Sequence, residues 1–232
     1  MKRLAGKVAV ITGAGRPGGL GAAIARRLAE DGARIVISDI GQVVDEATPM
    51  EMIGAAEDIA QVAAELRACG AEVSAHACDV RQAKQVDALA EHAVARFGAI
   101  DIWVNNAGIG YIMKPLVEVS AEDWAAVIDV NLTGSFNGVK AAALRMIAQG
   151  KGGRIINILG GGSDGNFREG QAIYGATKRG LGLFTAALIK ELKGTNVSVG
   201  SVRPGILITE GFVREAHEMG PERYAKQRKA IN

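Results

Sequence analysis

Tyr174 and Lys178 stand four positions apart in Tyr174-Gly175-Ala176-Thr177-Lys178. On a helix that spacing is just over one turn, so both side chains leave the same face with Cβ atoms about 5–6 Å apart. A phenol with a pKa of about 10 is a poor base at neutral pH, but a neighbouring ammonium favours the phenolate and lowers that pKa by roughly 1–3 units. Such a pair exchanges a proton with an alcohol or a carbonyl near neutral pH. An ordinary pair on a helix surface has the same spacing, so residues elsewhere must decide between the two.

Those residues begin with Thr12-Gly13-Ala14-Gly15-Arg16-Pro17-Gly18-Gly19-Leu20-Gly21, set between a β-rich run and a segment of helical period. Glycines at such a junction permit a tight turn and let main chain approach a pyrophosphate, while the helix N-terminus offers unpaired N–H groups and a positive dipole end. A dinucleotide is the expected guest. The next β-rich run ends at Asp39, whose carboxylate suits the two adenosine-ribose hydroxyls and repels a 2′-phosphate. That favours NAD over NADP, with Arg16 pulling the other way.

The elements that must position these groups alternate along the chain. Strands are expected at Val8–Thr12, Arg34–Asp39, Glu72–Ala77, Ile100–Asn105, Arg154–Leu159 and Val197–Val202, and helices at Leu20–Asp31, Ala55–Cys69, Ala83–Phe97, Ala121–Ala148 and Gln171–Lys193. Strictly alternating elements imply an α/β fold, a doubly wound parallel sheet with helices on both faces in a three-layer sandwich. A chain of 232 residues with 48% apolar residues is expected to build one domain around one large core. Lys plus Arg number 27 against 25 Asp plus Glu, in no block of like charge, which argues against nucleic acid or a lipid surface as partner. The N-terminal apolar run is too short for a signal peptide or a membrane span, and Cys69 and Cys78 read as free thiols of a cytoplasmic protein. His76, His92 and His217 have no metal-ligand spacing, and Trp103 and Trp124 read as packing residues. Apolar residues on more than one face of Ala121–Ala148, together with Gln171–Lys193, suggest helix-mediated self-association into a homodimer or homotetramer. Phe212, Met219 and Tyr224 could line a substrate lid.

Taken together, these motifs resemble the short-chain dehydrogenase/reductase family over essentially the whole chain. The resemblance implies a Rossmann-like fold and an NAD(P)-dependent oxidoreductase that interconverts a secondary alcohol and a ketone or aldehyde without a metal. It assigns Gly13, Gly15, Gly19, Leu20 and Gly21 to the phosphate loop, Asp79 and Val80 to the adenine side, and Asn105, Ala107 and Gly108 of the fourth-strand motif Asn105-Asn106-Ala107-Gly108 to cofactor binding. Pro204, Gly205 and Thr209 fall in the nicotinamide-side turn. Asn131 corresponds to the catalytic asparagine, which seats a relay water, and Tyr174 and Lys178 to the acid/base pair that also touches the cofactor.

Four departures from the family pattern stand out. Five residues separate Gly13 from Gly19 where the family has three, implying a bulged phosphate loop. This spacing resembles the divergent enoyl reductase branch, whose Tyr and Lys stand further apart than here. The position of the catalytic serine is Gly160. Ser163, a main-chain N–H or Asn166 is left to hold the reacting oxygen; otherwise the protein is a weakened enzyme or a cofactor-binding protein without turnover. If only the hydroxyl is missing, Gly160→Ser should raise the rate by up to about 10²-fold. The family's last strand is not expected within this chain, and Gly41–Gly54 forms an extra segment similar to one in the branch coupled to mycofactocin. A nucleotide-sugar epimerase or dehydratase is disfavoured by the Asn105–Gly108 motif.

Overall fold

The computed structural model describes residues 2–45, 53–110, 112, 114–167 and 169–205. Six strands, β1 (Val8–Thr12), β2 (Arg34–Asp39), β3 (Val73–Ala77), β4 (Ile102–Asn105), β5 (Gly153–Ile158) and β6 (Val197–Val202), form one sheet in the order β3-β2-β1-β4-β5-β6, with every pairing parallel. The helices are α1 (Leu20–Glu30), α2 (Ala56–Ala68), α3 (Ala83–Phe97), α4 (Ala121–Ile128), α5 (Gly134–Ala148) and α6 (Ala172–Glu191).

Burial on both faces explains why the strands read as unbroken apolar runs. Alternate residues of β1 go to opposite cores. Val8 and Val10 pack with Trp103 and Ile155 under α3, α4, α5 and α6, whereas Ala9 and Ile11 pack with Ile35, Ile37 and Val104 under α1 and α2. Local signals set the helix ends. Ser120 Oγ accepts the Asp123 N–H at 3.0 Å while Asp123 accepts the Ser120 N–H at 3.1 Å, a reciprocal cap that starts α4. Gly98, at φ 84°, ends α3 in the left-handed conformation.

The long helix expected over Ala121–Ala148 is interrupted by a widened π turn at Asp129–Thr133. Its cause is side-chain competition with the helix ladder: Ser135 Oγ donates to the Asn131 carbonyl at 2.8 Å, and the Asn131 amide reaches across to the chain after β4. The turn carries Asn131 into full burial. The expected β4 start at Ile100 moves to Ile102, because the Asp101 carboxylate turns back to accept the Val8 N–H at 2.9 Å.

Candidate active site

Site residues gather at the carboxyl ends of the strands, on either side of the point between β1 and β4 where the sheet order reverses. Gly13 adopts φ 64°, and a methyl group there would lie 2.6 Å from Ala107 Cα. Glycine therefore lets the phosphate loop touch the chain after β4. Thr12 and Asn106, which sequence reasoning passed over, sew the two ends together. Thr12 Oγ accepts the N–H groups of Asn106 and Ala107, each at 3.1 Å, and Asn106 Nδ2 donates to the carbonyls of Thr12 and Gly13 at 2.9 and 2.8 Å. Arg26 secures the two extra loop residues by donating twice to the Pro17 carbonyl at 3.0 Å while pairing with Glu65 at 2.6 Å. Gly19 caps α1, Leu20 and Gly21 open it, and no side chain satisfies its N-terminus.

At the end of β2, Asp39 accepts N–H groups from Gly15 and Ile40 at 2.9 Å each and from Gly54 at 3.2 Å. Burial pushes its carboxyl above the usual range, against the pull of those donors and of Arg16. A carboxylate has about four acceptor sites, which leaves one for a ribose hydroxyl. Gly54 belongs to the extra segment, whose returning limb is also held by the Gly41 N–H to the Gly54 carbonyl at 3.1 Å.

Asp79 is engaged by the Arg81 guanidinium at 2.9–3.0 Å, and Arg81 reaches on to Asp45 at 2.6 Å. The Val80 carbonyl accepts from Asn137 at 2.9 Å. Asn105 turns away from the cleft into a buried polar chain: it accepts from Trp103 Nε1 at 2.7 Å and donates to Asn157 at 2.8 Å, which donates to Thr185 on α6 at 2.9 Å. Cys78, beneath Asp79, is an inert thiol, pushed up to about 12 by burial and by the Asp79 and Asp39 carboxylates.

On α6, Lys178 is buried and donates to the Ile158 carbonyl at 3.1 Å, with Nζ 5.7 Å from the centre of the Tyr174 ring. Burial alone pushes its pKa down from 10.5 to about 8. Asn131 accepts the Ile109 N–H at 2.8 Å and donates to the Ile109 carbonyl at 2.9 Å and to Thr177 Oγ at 3.2 Å. Thr177, another residue sequence reasoning passed over, in turn donates to the Tyr174 carbonyl at 2.7 Å. Gly108 closes the group, since a methyl there would lie 3.0 Å from Asn131 Oδ1 and 3.2 Å from Lys178 Nζ.

Tyr174, Lys178 and Asn131 are thus brought together, and Ser163 sits differently from its expected role. Its hydroxyl donates to the Gly160 carbonyl at 2.7 Å, and Asn166 is turned to Asp164 at 2.9 Å. Asp164 pairs with Arg203, just before Pro204 and Gly205. Hydrogen bonds from Asn166 and Arg203 hold its carboxyl well below the usual range. Thr209, Phe212, His217, Met219 and Tyr224 lie outside the described residues.

This fold and site define a dinucleotide-binding protein of the doubly wound class. The glycine turn at the uncapped start of α1 and the acceptor site left on Asp39 both suit such a guest. A family model described as short chain dehydrogenase matches residues 7–219. The chain belongs to the short-chain dehydrogenase/reductase family, a family of oxidoreductases that use nicotinamide cofactors.

Among relatives, a probable chlorophyll(ide) b reductase of Arabidopsis thaliana is 36% identical over 87% of this chain. The chain spans only 41% of that protein's length, and 40% of its rice counterpart. A short chain dehydrogenase from Mycobacterium paratuberculosis bound to NAD superposes with a TM-score of 0.82 at 31% identity, covering 95% of this chain and 82% of that one. A gluconate 5-dehydrogenase from Burkholderia cenocepacia in complex with NADP and tartrate gives 0.81 at 36% identity, covering 96% and 79%. Among the described residues no helix is long and apolar enough to cross a membrane.

Proposed function

We propose that the protein is a cytoplasmic NAD-dependent oxidoreductase interconverting a small secondary alcohol and its ketone or aldehyde, with Tyr174 as the group that gives or takes the hydroxyl proton. The observation that carries this reading is the fully buried Lys178 ammonium, on the face of α6 that also bears the phenol. Nicotinamide, when bound, supplies or accepts the hydride. The phosphate loop from Gly13 to Gly21 holds the pyrophosphate, Asp39 the adenosine ribose, Asp79 and Val80 the adenine edge, and Ala107, Gly108, Pro204, Gly205 and Thr209 the nicotinamide half. Asn105 supports that half from below.

Lys178 is a strong donor in a dry place. An ammonium there favours the phenolate, the form in which Tyr174 takes a proton, while its remaining protons are available to the nicotinamide ribose. Asn131 holds the Ile109 main chain over this pair. Both of its side-chain N–H donors are taken and its Oδ1 already accepts the Ile109 N–H, while its main-chain carbonyl, which accepts the Ser135 hydroxyl, keeps an acceptor site for a relay water.

A second reading, a cofactor-binding protein without turnover, is favoured by Gly160 and by the direction of the Ser163 hydroxyl. Kinetics over a panel of secondary alcohols and ketones decide. Turnover with NAD that Tyr174→Phe abolishes and Ser163→Ala leaves within about threefold supports the enzyme; saturable NAD binding with no turnover by wild type supports the binder.

Self-association belongs to the same proposal. The outer faces of α5 and α6 expose Leu144 (53%), Ile147 (44%), Leu183 (67%) and Ile189 (55%), and Phe136 packs its half-exposed ring against Phe184. A second copy laid across these helices would cover them.

A further inference from the structure

Gly160 follows β5 in a tight turn. Its carbonyl accepts both the N–H and the hydroxyl of Ser163, at 3.3 and 2.7 Å, which fixes the orientation of its peptide. One residue earlier, the Leu159 N–H donates to the Val202 carbonyl at 2.8 Å, so the sheet ladder holds the turn from the other side. Gly160 itself is buried, and what buries it is the catalytic tyrosine. A methyl group built on Gly160 would lie 2.8 Å from Tyr174 Cζ and 3.1 Å from Cε1, with the hydroxyl oxygen closer still. The other edge of the ring faces Gly110, where a methyl would lie 3.3 Å from Cε2 and 3.7 Å from Cζ. The phenol therefore stands in a slot walled by two stretches of bare main chain, one after β4 and one after β5.

We propose that Gly160 is a positioning residue whose missing side chain is the seat of the Tyr174 phenol, so that this site requires glycine where a serine would otherwise supply a hydroxyl. The inference rests on the proton-transfer role given above to Tyr174. Carbon atoms pack at about 3.5–4.0 Å. Any side chain at 160 therefore drives the ring back by a distance on the order of 1 Å, and a misplacement of that size in a reacting group costs up to about 10²-fold in rate. Lys178 cannot follow, because its ammonium is tied to the Ile158 carbonyl. A serine at 160 then displaces the acid/base group instead of adding a donor beside it, the reverse of what counting hydroxyls suggests. The Ser163 hydroxyl is spent on the Gly160 carbonyl, which the Ser163 main-chain N–H also holds.

Two measurements test the inference, one of them free of any substrate. The protein is labelled with 3-fluorotyrosine, which marks only three positions, Tyr111, Tyr174 and Tyr224. The Tyr174 fluorine resonance is identified by its loss in Tyr174→Phe. Gly160→Ala should shift that resonance; an unmoved Tyr174 resonance in a folded Gly160→Ala protein overturns the seat. If position 160 variants do not fold, Gly110→Ala crowds the same ring less severely, and an unmoved Tyr174 resonance in it is equally fatal.

The second measurement is turnover of 2-butanol and cyclohexanol with NAD. Gly160→Ser and Gly160→Ala should each lower kcat by about 10²-fold, with a larger effect on kcat than on KM. In a Tyr174→Phe background, adding Gly160→Ala should cost nothing further, because the displaced hydroxyl is already gone. A Gly160→Ser protein faster than wild type overturns the inference while leaving the role of Tyr174 intact. A Tyr174→Phe protein that keeps the wild-type rate instead removes the proton-transfer role, and the fluorine shift then still decides whether Gly160 seats the ring.

Discussion

Replacing Lys178 with methionine should make the cofactor-free protein more stable at neutral pH while abolishing turnover. Burial alone lowers the Lys178 pKa from 10.5 to about 8. At about 1.4 kcal/mol for each pH unit, that fall corresponds to about 3 kcal/mol of cost for holding the ammonium in a dry place. The sign follows from proton counting. Because the folded pKa lies below the unfolded one, the unfolded chain holds the extra proton between about pH 8 and pH 10.5, and stability rises with pH across that window. The cost is thus carried in full below pH 8 and fades as pH approaches 10.5. Methionine fills a similar volume with no charge, but it leaves the Ile158 carbonyl without its 3.1 Å donor, a loss of about 1 kcal/mol. The net gain is about 2 kcal/mol at pH 7, or about 4–8 °C in Tm for a chain of this size. Thermal melts by circular dichroism of Lys178→Met and wild type, at about pH 7 and pH 10, provide the assay. The variant should melt higher at the lower pH, and the gap should close at the higher. A variant that melts lower than wild type at pH 7, or a gap indifferent to pH, would show that Lys178 does not carry a desolvated charge.

Three other outcomes follow from the geometry. ADP should bind more tightly than 2′,5′-ADP, as read by calorimetry, and Asp39→Ala should reverse the order by at least about tenfold, because it removes the repelling charge and frees the N–H groups of Gly15, Ile40 and Gly54 for a phosphate; a wild type that binds both equally would reject the NAD assignment and promote Arg16. Gly138→Ala should destabilise the fold by about 2–4 kcal/mol in denaturant titration, since its methyl would lie 2.7 Å from Trp103 Nε1 and break into the Asn105–Asn157–Thr185 chain; an unchanged midpoint would mean that this region repacks freely. Light scattering should report a multimer at micromolar concentration for wild type and a smaller species for Leu144→Asp combined with Leu183→Asp, and a wild type that stays monomeric counts against the helix-face interface.

Much of the sheet was legible because its signals are local. Val8–Thr12, Arg34–Asp39 and Val197–Val202 are apolar, β-branched runs with glycine, asparagine or proline within two residues of their ends, and the structure places β1, β2 and β6 at those bounds. The Tyr174–Lys178 spacing survives for the same reason, since four residues on one helix face need no tertiary information. What was hidden depends on partners far away in sequence. Nothing in Asp129–Thr133 announces a π turn; it arises because Asn131 finds Ile109, 22 residues away. Asn105 was expected to face the cofactor, yet its buried side chain answers Trp103 and Asn157. The segment Gly41–Gly54 looked like an added loop, and its role in completing the donor set around Asp39 through Gly54 could not be read from composition. Gly160 was the sharpest case. An absent hydroxyl is visible in the sequence, whereas the ring that fills the space belongs to a residue on another element.

The proposed function requires that Tyr174 move the proton while NAD is held by other residues as well. Single-turnover mixing of the NAD-loaded protein with a secondary alcohol, followed by nicotinamide absorbance, addresses it most directly when wild type and Tyr174→Phe are compared at cofactor concentrations saturating for both. A burst of reduced nicotinamide from wild type, slowed at least about 10³-fold in Tyr174→Phe with NAD affinity changed by less than about threefold, is the expected result. Equal bursts from the two proteins would contradict it.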